Sequence, residues 1–409
     1  MDMKKKLLFI GIIMNSAGTE KSFLSFVNCI DFDKYDVDLL LAKDEGLFMQ
    51  SIPKQVNVKF MPEYGDLFLL SNKNAFEIMY NTFVEKNPET AFEILPYFIK
   101  LVLNPKKRVR TAIQLFCRMM QKMSPVTEEY DAAIAYWGDR TMFYMIDKVL
   151  NAKKKIAWMH FDYSTPQRET RDDEIYLQYF QQCDGIVNVS TAVDNNLKAK
   201  FPQIADKCVV IENIQNAGFM RNLSLEQGAF PDAHFKGRRI LTVGRITEQK
   251  GCDMIPPILA RLKAQNYDVR WYIIGDGEET EKAKLIESAI NHDVSEMLIL
   301  LGTTINPYKF MRDCDIYAQP SRYEGKPISV EEAKIMRCPI VVANYSSANE
   351  QLADGKYGVI AEINPEDIYE KIKLLLDNAD LCENLSKTLA NENFGNESEI
   401  QKFYKLLGE

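Results

Sequence analysis

The sequence predicts an α/β fold in two domains, each built on a parallel sheet. Short apolar runs of strand length alternate with segments of helical period along most of the chain, which indicates repeated βαβ units. A polar stretch rich in Asn and Gly divides the chain near its middle. At 409 residues, the chain is long enough for two hydrophobic cores of ordinary size.

The first domain is predicted over residues 1–213. Its strands are short and mostly apolar, and they are expected at 7–12, 35–41, 132–136, 156–159, 185–189 and 209–211. Ser190 precedes a run of helical period and is expected to cap that helix. Residues 75–123 depart from the alternation with a mostly helical, apolar and aromatic pattern, so we predict a helical insertion there.

The second domain is predicted over residues 239–385, after a polar linker at 214–238. Its strands are expected at 240–243, 271–274 and 316–318, and the helical patterns between them imply a parallel sheet. Residues 386–409 end the chain with one more helix, whose apolar positions are Ile400, Phe403, Tyr404, Leu406 and Leu407.

Two carboxylates stand eight positions apart at a predicted strand end. Glu324 is expected on the loop after the 316–318 strand, and Glu332 lies one or two turns into the following helix. In an open α/β sheet this crevice binds nucleotides, and two carboxylates there can accept hydrogen bonds from two sets of hydroxyl groups. The alternative is an acidic first turn that only stabilises the helix dipole.

Two cations follow an earlier strand of the same predicted sheet. The 240–243 run ends in Gly244 and Arg245, and Lys250 follows within one short loop. Arg can bind a diphosphate through two N–H groups while Lys supplies a point charge. Each charged hydrogen bond of this kind contributes roughly 1.5–3 kcal/mol. A solvated basic loop is the alternative interpretation.

Six elements in order, from about 239 to 375, resemble the donor-nucleotide domain of retaining glycosyltransferases of family 4. That family has the GT-B architecture, in which two Rossmann-like domains face a central cleft. The matching elements are Gly-Arg at 244–245 with Lys-Gly at 250–251, the strand end at 274–277, Leu-Gly at 301–302, the Pro-Ser and Glu-Gly pairs at 320–325, Glu-Ala at 332–333, and the run at 339–342. The resemblance also implies that the last helix crosses back to the first domain.

The resemblance assigns roles to the charged residues. Arg245 and Lys250 would bind the donor diphosphate and stabilise charge on it as it leaves. Glu324 would lie beside the transferred sugar, and Glu332 would hold the ribose hydroxyls. The remaining donor-binding positions are glycines or lie on the loop whose amides would contact phosphate and sugar: Gly18, Gly244, Gly325, Lys326 and Ile328.

One departure from the family affects this loop. Many relatives have Phe-Gly after the Glu-Gly pair, whereas this chain has Lys326 and Pro327. Because Pro has no amide hydrogen, one possible donor contact is missing. Lys326 would add a cation near the sugar.

Two features of the first domain agree with the resemblance. The strand at 7–12 leads into a loop similar to the Gly-rich first loop of the family, although only Gly18 remains of the usual glycine pair and Ala17 occupies the other position. The loop is not a Gly-x-Gly-x-x-Gly motif, so a dinucleotide is disfavoured. His160 follows the 156–159 strand and by resemblance lines the sugar site, where it would position the sugar or stabilise charge. A structural histidine and a plain βα turn are the alternatives.

Composition narrows the class of protein. The net charge is −8, and no basic face with stacking aromatic residues is evident, so we expect no nucleic-acid partner. No stretch of about 20 apolar residues predicts a membrane span. The eight cysteines show neither a metal-binding nor a disulfide spacing, which suits a reducing cytoplasm. Asp-x-Asp occurs at 31–33, 36–38 and 313–315, but neighbouring positions offer no further ligands, so we expect no metal and no cofactor.

Residues 92–123 combine apolar and aromatic positions with basic ones, which include Lys106, Lys107, Arg108, Arg110, Arg118 and Lys122. A basic amphipathic helix can lie on an anionic membrane. We therefore expect a cytoplasmic protein that contacts the inner face of the cell membrane through this region. A helical subdomain with a solvated basic rim is the alternative.

By resemblance, the chain would be a retaining, metal-independent glycosyltransferase. It would move a sugar from a nucleoside diphosphate sugar, with uridine the commoner base, to a hydroxyl of a carbohydrate or lipid-linked acceptor in the synthesis of bacterial surface polysaccharides or glycoconjugates. Three alternatives stay open. They are a non-catalytic partner subunit of a glycosyltransferase, a sugar-nucleotide epimerase of similar architecture, and a polysaccharide phosphorylase, which would need a cofactor lysine that we cannot locate.

Overall fold

A computed structural model of the chain describes residues 4–15, 18–61, 64–69, 75–85, 88–104, 107–163 and 172–409. Ala17 and Lys106, which the sequence analysis singled out, lie outside these ranges. The described residues form two α/β domains, each with its own parallel sheet.

The first domain contains nine strands: β1 (Lys5–Ile10), β2 (Tyr35–Leu41), β3 (Val56–Phe60), β4 (Val126–Tyr130), β5 (Ala132–Ala135), β6 (Val149–Ala152), β7 (Lys155–Met159), β8 (Gly185–Asn188) and β9 (Cys208–Val210). Seven of them form one sheet in the order β3-β2-β1-β5-β7-β8-β9, and all neighbouring pairs are parallel. β4 and β6 pair separately. The strand expected at 35–41 has those bounds in the structure.

Helices cover both faces of this sheet, which explains why its central strands are apolar throughout. In β1, Leu8 and Ile10 pack into the core on one face, while Leu7 and Phe9 pack into the core on the other. The helices of the first domain are α1 (Gly18–Val27), α2 (Ala75–Met79), α3 (Thr90–Leu103), α4 (Arg108–Met120), α5 (Asp139–Lys148), α6 (Asp173–Gln182) and α7 (Thr191–Lys200). Ser190 caps α7 through a hydrogen bond that its hydroxyl accepts from the amide of Val193.

The second domain contains six strands: β10 (Arg238–Val243), β11 (Val269–Ile274), β12 (Leu298–Gly302), β13 (Ile316–Gln319), β14 (Ile340–Ala343) and β15 (Val359–Ala361). Their order is β12-β11-β10-β13-β14-β15, again with parallel pairs throughout. The remaining helices are α8 (Ala217–Ser224), α9 (Ile255–Ala264), α10 (Glu279–Asn291), α11 (Tyr308–Asp313), α12 (Ile328–Ile335), α13 (Ala348–Gln351), α14 (Pro365–Asp377), α15 (Ala379–Ala390) and α16 (Ile400–Leu407).

The segment expected to be a linker, 214–238, contains helix α8. Asn216 caps it by accepting a hydrogen bond from the amide of Phe219 at 2.9 Å. Ala217 and Met220 are buried against residues of the second domain, including Tyr308. The N-cap and the packing of two apolar residues therefore order part of this segment, although its overall composition is polar.

Helix α16 returns to the first domain. The ring of Phe403 lies 5.1 Å from that of Phe26 and 6.3 Å from that of Phe9, measured between centroids. The hydroxyl of Tyr404 accepts a hydrogen bond from the amide of Asp31 at 2.8 Å. These contacts tie the end of the chain to the first core, so the chain crosses between the domains twice. No helix among the described residues is both long and apolar enough to cross a membrane.

Candidate active site

The carboxyl ends of strands from both sheets meet at one cleft. His160 follows β7 in the first domain, while Arg245 and Glu324 follow β10 and β13 in the second. Parallel strands present all their carboxyl ends on one edge, so the side chains after them share that edge. Two helices that start at this edge, α1 and α12, contact each other across the domains.

Lys250 and Glu324 form a short ion pair at this edge. Lys250 Nζ lies 2.6 Å from Glu324 Oε1, and Glu324 is only 8% exposed. The same oxygen accepts hydrogen bonds from Ser321 Oγ at 2.6 Å and Gln319 Nε2 at 3.3 Å. A Cβ on Gly244 would lie 3.5 Å from the Lys250 side chain, an ordinary van der Waals distance, so the lysine packs over this glycine. The loops after β10 and β13 are thus joined by a charge pair.

Glu332 lies deeper and contacts the other domain. It is 1% exposed, and its Oε1 is 2.8 Å from Nζ of Lys21, which belongs to α1. Tyr308 also donates to Oε1, at 3.3 Å, and burial together with Glu332 raises the pKa of this tyrosine well above its usual range. The second oxygen, Oε2, is buried without a partner among the described residues. A buried carboxylate therefore presents an unused acceptor.

His160 is a neutral group in this structure. Burial lowers the pKa of His160 to about 3, and a hydrogen bond to the backbone of Tyr136 opposes that change. A hydrogen bond raises the pKa of a histidine when the ring is the donor. One ring nitrogen therefore donates to the backbone of Tyr136, and the other ring nitrogen carries the lone pair. That nitrogen, Nε2, is buried and has no partner among the described residues. His160 can therefore accept a hydrogen bond from a hydroxyl group.

The two domains touch directly at Gly325. A Cβ at this position would lie 2.6 Å from the backbone oxygen of His160, so only glycine allows this approach. Ser190 donates to the carbonyl of Gly325 at 3.3 Å, which adds a second link between the domains. The backbone beside Glu324 is thus held against the backbone beside His160.

Lys326 is paired at the junction of the domains. Its Nζ lies 2.5 Å from Glu212 Oε1 and 3.7 Å from Glu350 Oε1. Glu350 in turn accepts hydrogen bonds from the amides of Thr191 and Ala192 at the start of α7. Lys326, which was expected as a cation near the sugar, is therefore paired with two carboxylates, because a largely buried ammonium group needs a counter-charge.

Arg245, Gly18 and Ile328 complete the predicted set. Arg245 is exposed after β10, and its charge acts on the carboxyl group of Glu20, which belongs to α1 in the other domain. Among the described residues, no neighbour lies within 4 Å of a Cβ placed on Gly18, so space adjoins the start of α1. Helix α12 begins at Ile328, and the first N–H groups of a helix lack intrahelical partners and favour anions.

Sequence reasoning missed several residues of this cleft. Lys21 and Glu20 directly follow the Gly18 loop, which was the only signal for them. Gln319 lies at the end of β13 and holds Glu324, whereas Tyr308 carried no signal at all. Among the described residues, no three or more His, Cys, Asp or Glu side chains are grouped as metal ligands.

Known proteins share the fold of this chain and part of its sequence. Residues 230–391 match the family model described as glycosyl transferases group 1. The chain aligns with an Anabaena protein, HepE, solved in complex with UDP and glucose, over 98% of this chain and 99% of that one, with a TM-score of 0.68 and 16% identity. The chain has the GT-B fold.

Sequence relatives extend the GT-B comparison. An uncharacterized glycosyltransferase of Haemophilus influenzae is 26% identical over 99% of this chain and 100% of its own length. A Campylobacter jejuni enzyme named N-acetylgalactosamine-N,N'-diacetylbacillosaminyl-diphospho-undecaprenol 4-alpha-N-acetylgalactosaminyltransferase is 28% identical, and the match spans 52% of this chain and 56% of the relative. These findings support a glycosyltransferase with the GT-B fold that is similar to the group 1 family over residues 230–391.

The contact at Gly325 gives a direct test of the domain junction. We expect Gly325→Ala to destabilise the protein by about 1–3 kcal/mol, because the added methyl group overlaps the His160 carbonyl and the two loops must separate. Thermal and urea unfolding measure this change. Gly18→Ala is the matched control, since its methyl group meets open space, and its stability should stay within about 0.5 kcal/mol of the wild type. Equal effects of the two substitutions would contradict the close approach.

Proposed function

We propose that the protein is a retaining, metal-independent glycosyltransferase of family 4 type. It transfers a sugar from a nucleoside diphosphate sugar, with UDP the favoured nucleotide, to a hydroxyl of a carbohydrate or lipid-linked acceptor. The single observation that carries the proposal is the convergence of two cation–carboxylate pairs, Lys250–Glu324 and Lys21–Glu332, on one cleft between the domains.

Glu332 is proposed to bind the ribose. Its Oε2 is buried and unpartnered, and a buried carboxylate oxygen is destabilising unless it accepts a hydrogen bond. The two neighbouring hydroxyls of a ribose can donate to both oxygens of one carboxylate. The first donates to Oε2, and the second replaces Lys21 or Tyr308 at Oε1.

Arg245 and Lys250 are proposed to bind the diphosphate. Arg245 is exposed at the cleft, and Lys250 lies 16% exposed on the same loop. Negative charge grows on the diphosphate as the sugar leaves, and fixed cations stabilise that charge more in the transition state than in the ground state. The amide N–H groups at the start of α12 add hydrogen-bond donors that carry positive partial charge. Because these groups supply the positive charge, the proposal needs no metal ion.

His160 and Glu324 are proposed to orient the transferred sugar. His160 offers a neutral acceptor at Nε2, and Glu324 offers a carboxylate whose Oε1 is already fixed by three donors. Both residues therefore accept hydrogen bonds from sugar hydroxyls with little rearrangement. Attack on the face from which the diphosphate departs would retain the configuration, and the departing phosphate would take the proton of the acceptor.

The comparisons favour UDP and a lipid-linked acceptor. The Anabaena structure contains UDP and glucose, and the Campylobacter relative is named for a diphospho-undecaprenol acceptor. A substrate on a membrane lipid suits an enzyme at the inner face of the cell membrane.

The exposed side of α3 supports such a membrane contact. Thr90 and Ile94 are buried, and α3 packs against α4. The opposite side carries a stripe of exposed apolar residues, mostly three or four positions apart: Phe92, Leu95, Ile99, Val102 and Leu103. Of these, Phe92, Val102 and Leu103 are 77–79% exposed. Exposed apolar surfaces of this kind mark interaction sites.

Basic residues follow the apolar stripe. Lys107 and Arg108, at the start of α4, are exposed, whereas Arg118 and Lys122 are paired with Glu93. Each exposed cation near an anionic leaflet adds roughly 1 kcal/mol to membrane binding. We therefore propose that the stripe inserts among the acyl chains while the start of α4 contacts lipid headgroups.

Turnover separates the proposed enzyme from a non-catalytic subunit. We expect Lys250→Met to lower the release of UDP from the donor that the wild type uses by about 100- to 1,000-fold, because it removes a cation at the leaving group. A coupled UDP assay over a panel of UDP-sugars measures the rate. Lys284→Met removes an exposed lysine of α10 and should keep full activity. A wild type that binds UDP but turns over no donor, or a Lys250→Met protein as active as the wild type, contradicts the assignment.

Vesicle binding tests the membrane contact. We expect the triple substitution Phe92→Ser, Val102→Ser and Leu103→Ser to weaken co-sedimentation with phosphatidylglycerol vesicles at least about tenfold. Burial of these three apolar side chains among the acyl chains should contribute more than about 1.4 kcal/mol to binding. Ile286→Ser with Ile290→Ser, on the exposed side of α10, is the control and should bind as the wild type does. The proposal fails if the wild type shows no binding or if both variants lose it equally.

A further inference from the structure

Glu20 carries a buried carboxyl group in the cleft, and the proposed donor site does not use this group. It lies in the first turn of α1 and is 6% exposed. Its Oε1 accepts a hydrogen bond from Nε1 of Trp137 at 3.3 Å. Its Oε2 is buried and has no partner among the described residues. Native proteins rarely leave a buried polar atom unpaired, so this oxygen suggests a ligand.

Trp137 holds this carboxyl group in a fixed direction. It follows β5, so it lies at the same sheet edge as His160. Its ring centroid is 5.1 Å from that of Phe23 and 5.6 Å from that of Tyr136. A Cβ on Gly11 would lie 3.0 Å from the indole ring, so the glycine makes room for it. Because Trp137 is fixed on these sides, its N–H group holds Oε1 in place, and Oε2 remains for another partner.

The positive charge of Arg245 favours the ionised form of Glu20. The adjacent Lys21 is paired with Glu332. Burial raises the pKa of Glu20 to about 7, while a backbone hydrogen bond, the Trp137 hydrogen bond and Arg245 act in the opposite direction. The carboxyl group therefore ionises near neutral pH, and the helix that carries it contacts α12 of the donor domain.

We infer that Oε2 of Glu20 binds the attacking hydroxyl group of the acceptor. The inference rests on the proposed function: in same-face transfer, the attacking hydroxyl must approach beside the departing diphosphate. Arg245 follows β10 in the donor domain, and Glu20 lies on α1, which approaches the same cleft from the opposite domain. The ionised carboxylate accepts a hydrogen bond from the hydroxyl and directs an oxygen lone pair toward the anomeric carbon.

The chemistry balances without a change in the charge of Glu20. The bond from the anomeric carbon to the diphosphate oxygen breaks, and a bond to the acceptor oxygen forms. The proton of the acceptor hydroxyl passes to the departing phosphate oxygen. Glu20 positions the hydroxyl throughout and keeps the same protonation state, so only its ionised form supports transfer.

Glu20→Gln tests this assignment with water as the attacking hydroxyl. The probe reaction is hydrolysis of the UDP-sugar that the wild type turns over, and octyl glycosides serve as second acceptors. We expect the wild-type rate to rise about tenfold between pH 6 and pH 8, as the carboxyl group ionises. Glu20→Gln should lower the rate at pH 8 at least about 30-fold, abolish this rise, and leave the Kd for UDP unchanged. Trp137→Phe, which frees Oε1, should reduce the rate less and keep the pH dependence.

Asp38→Asn is the matched control, because it alters another buried carboxylate of the same domain, one that is paired with Lys59. It should retain the wild-type rate and its pH dependence. A Glu20→Gln protein that binds UDP normally and keeps the wild-type rate, or keeps the rise between pH 6 and pH 8, overturns the inference but leaves the proposed function intact. A wild type that binds no UDP overturns the proposed function itself. Unchanged UDP binding by Glu20→Gln also shows that the variant has folded.

Discussion

The ion pair between Lys21 and Glu332 is the interaction on which the arrangement of the cleft depends. It joins α1 of one domain to α12 of the other at 2.8 Å, and its carboxylate is almost fully buried. Removing one partner of a buried pair costs about 3–5 kcal/mol, because the remaining charge has no counter-charge. A nucleotide that displaces Lys21 from Glu332 must therefore supply a donor in its place. Binding of the donor and the relative position of the domains are coupled through this one carboxylate.

Three buried polar atoms without a hydrogen-bond partner among the described residues lie around the same cleft. Oε2 of Glu20, Oε2 of Glu332 and Nε2 of His160 are each buried without a partner among the described residues. All three are acceptors, and sugars and ribose are rich in donor hydroxyl groups. The cations Arg245 and Lys250 provide the complementary sites for a diphosphate. The cleft thus offers acceptors for hydroxyls and cations for phosphate, which is the chemistry that a sugar nucleotide requires.

Much of this fold could be predicted from the sequence, because buried parallel strands are continuous apolar runs. The bounds of β2 and the end of β10 before Arg245 follow from that pattern. The residues after strand ends could be assigned to the cleft for the same reason. Helix α8 was missed because its segment is polar in composition, and its order depends on packing against Tyr308 and its neighbours.

Contacts between the domains could not be predicted. Lys21 and Glu332 are 311 positions apart in the sequence, and Lys326 is paired with Glu212. Such pairs depend on how two separate sheets face each other, which no local pattern encodes. The same holds for Gly325, whose lack of a side chain matters only because the His160 carbonyl lies against it.

The affinity of two neighbouring glutamate variants for UDP tests the central claim most directly. Glu332 faces the cleft, whereas the adjacent Glu331 is paired with Lys334 and Gln351. The account predicts that Glu332→Gln raises the Kd for UDP about 10- to 100-fold by calorimetry, since one charged hydrogen bond is lost, and that Glu331→Gln changes it less than about twofold. Wild-type affinity in Glu332→Gln, or an equal loss in both variants, would contradict the account.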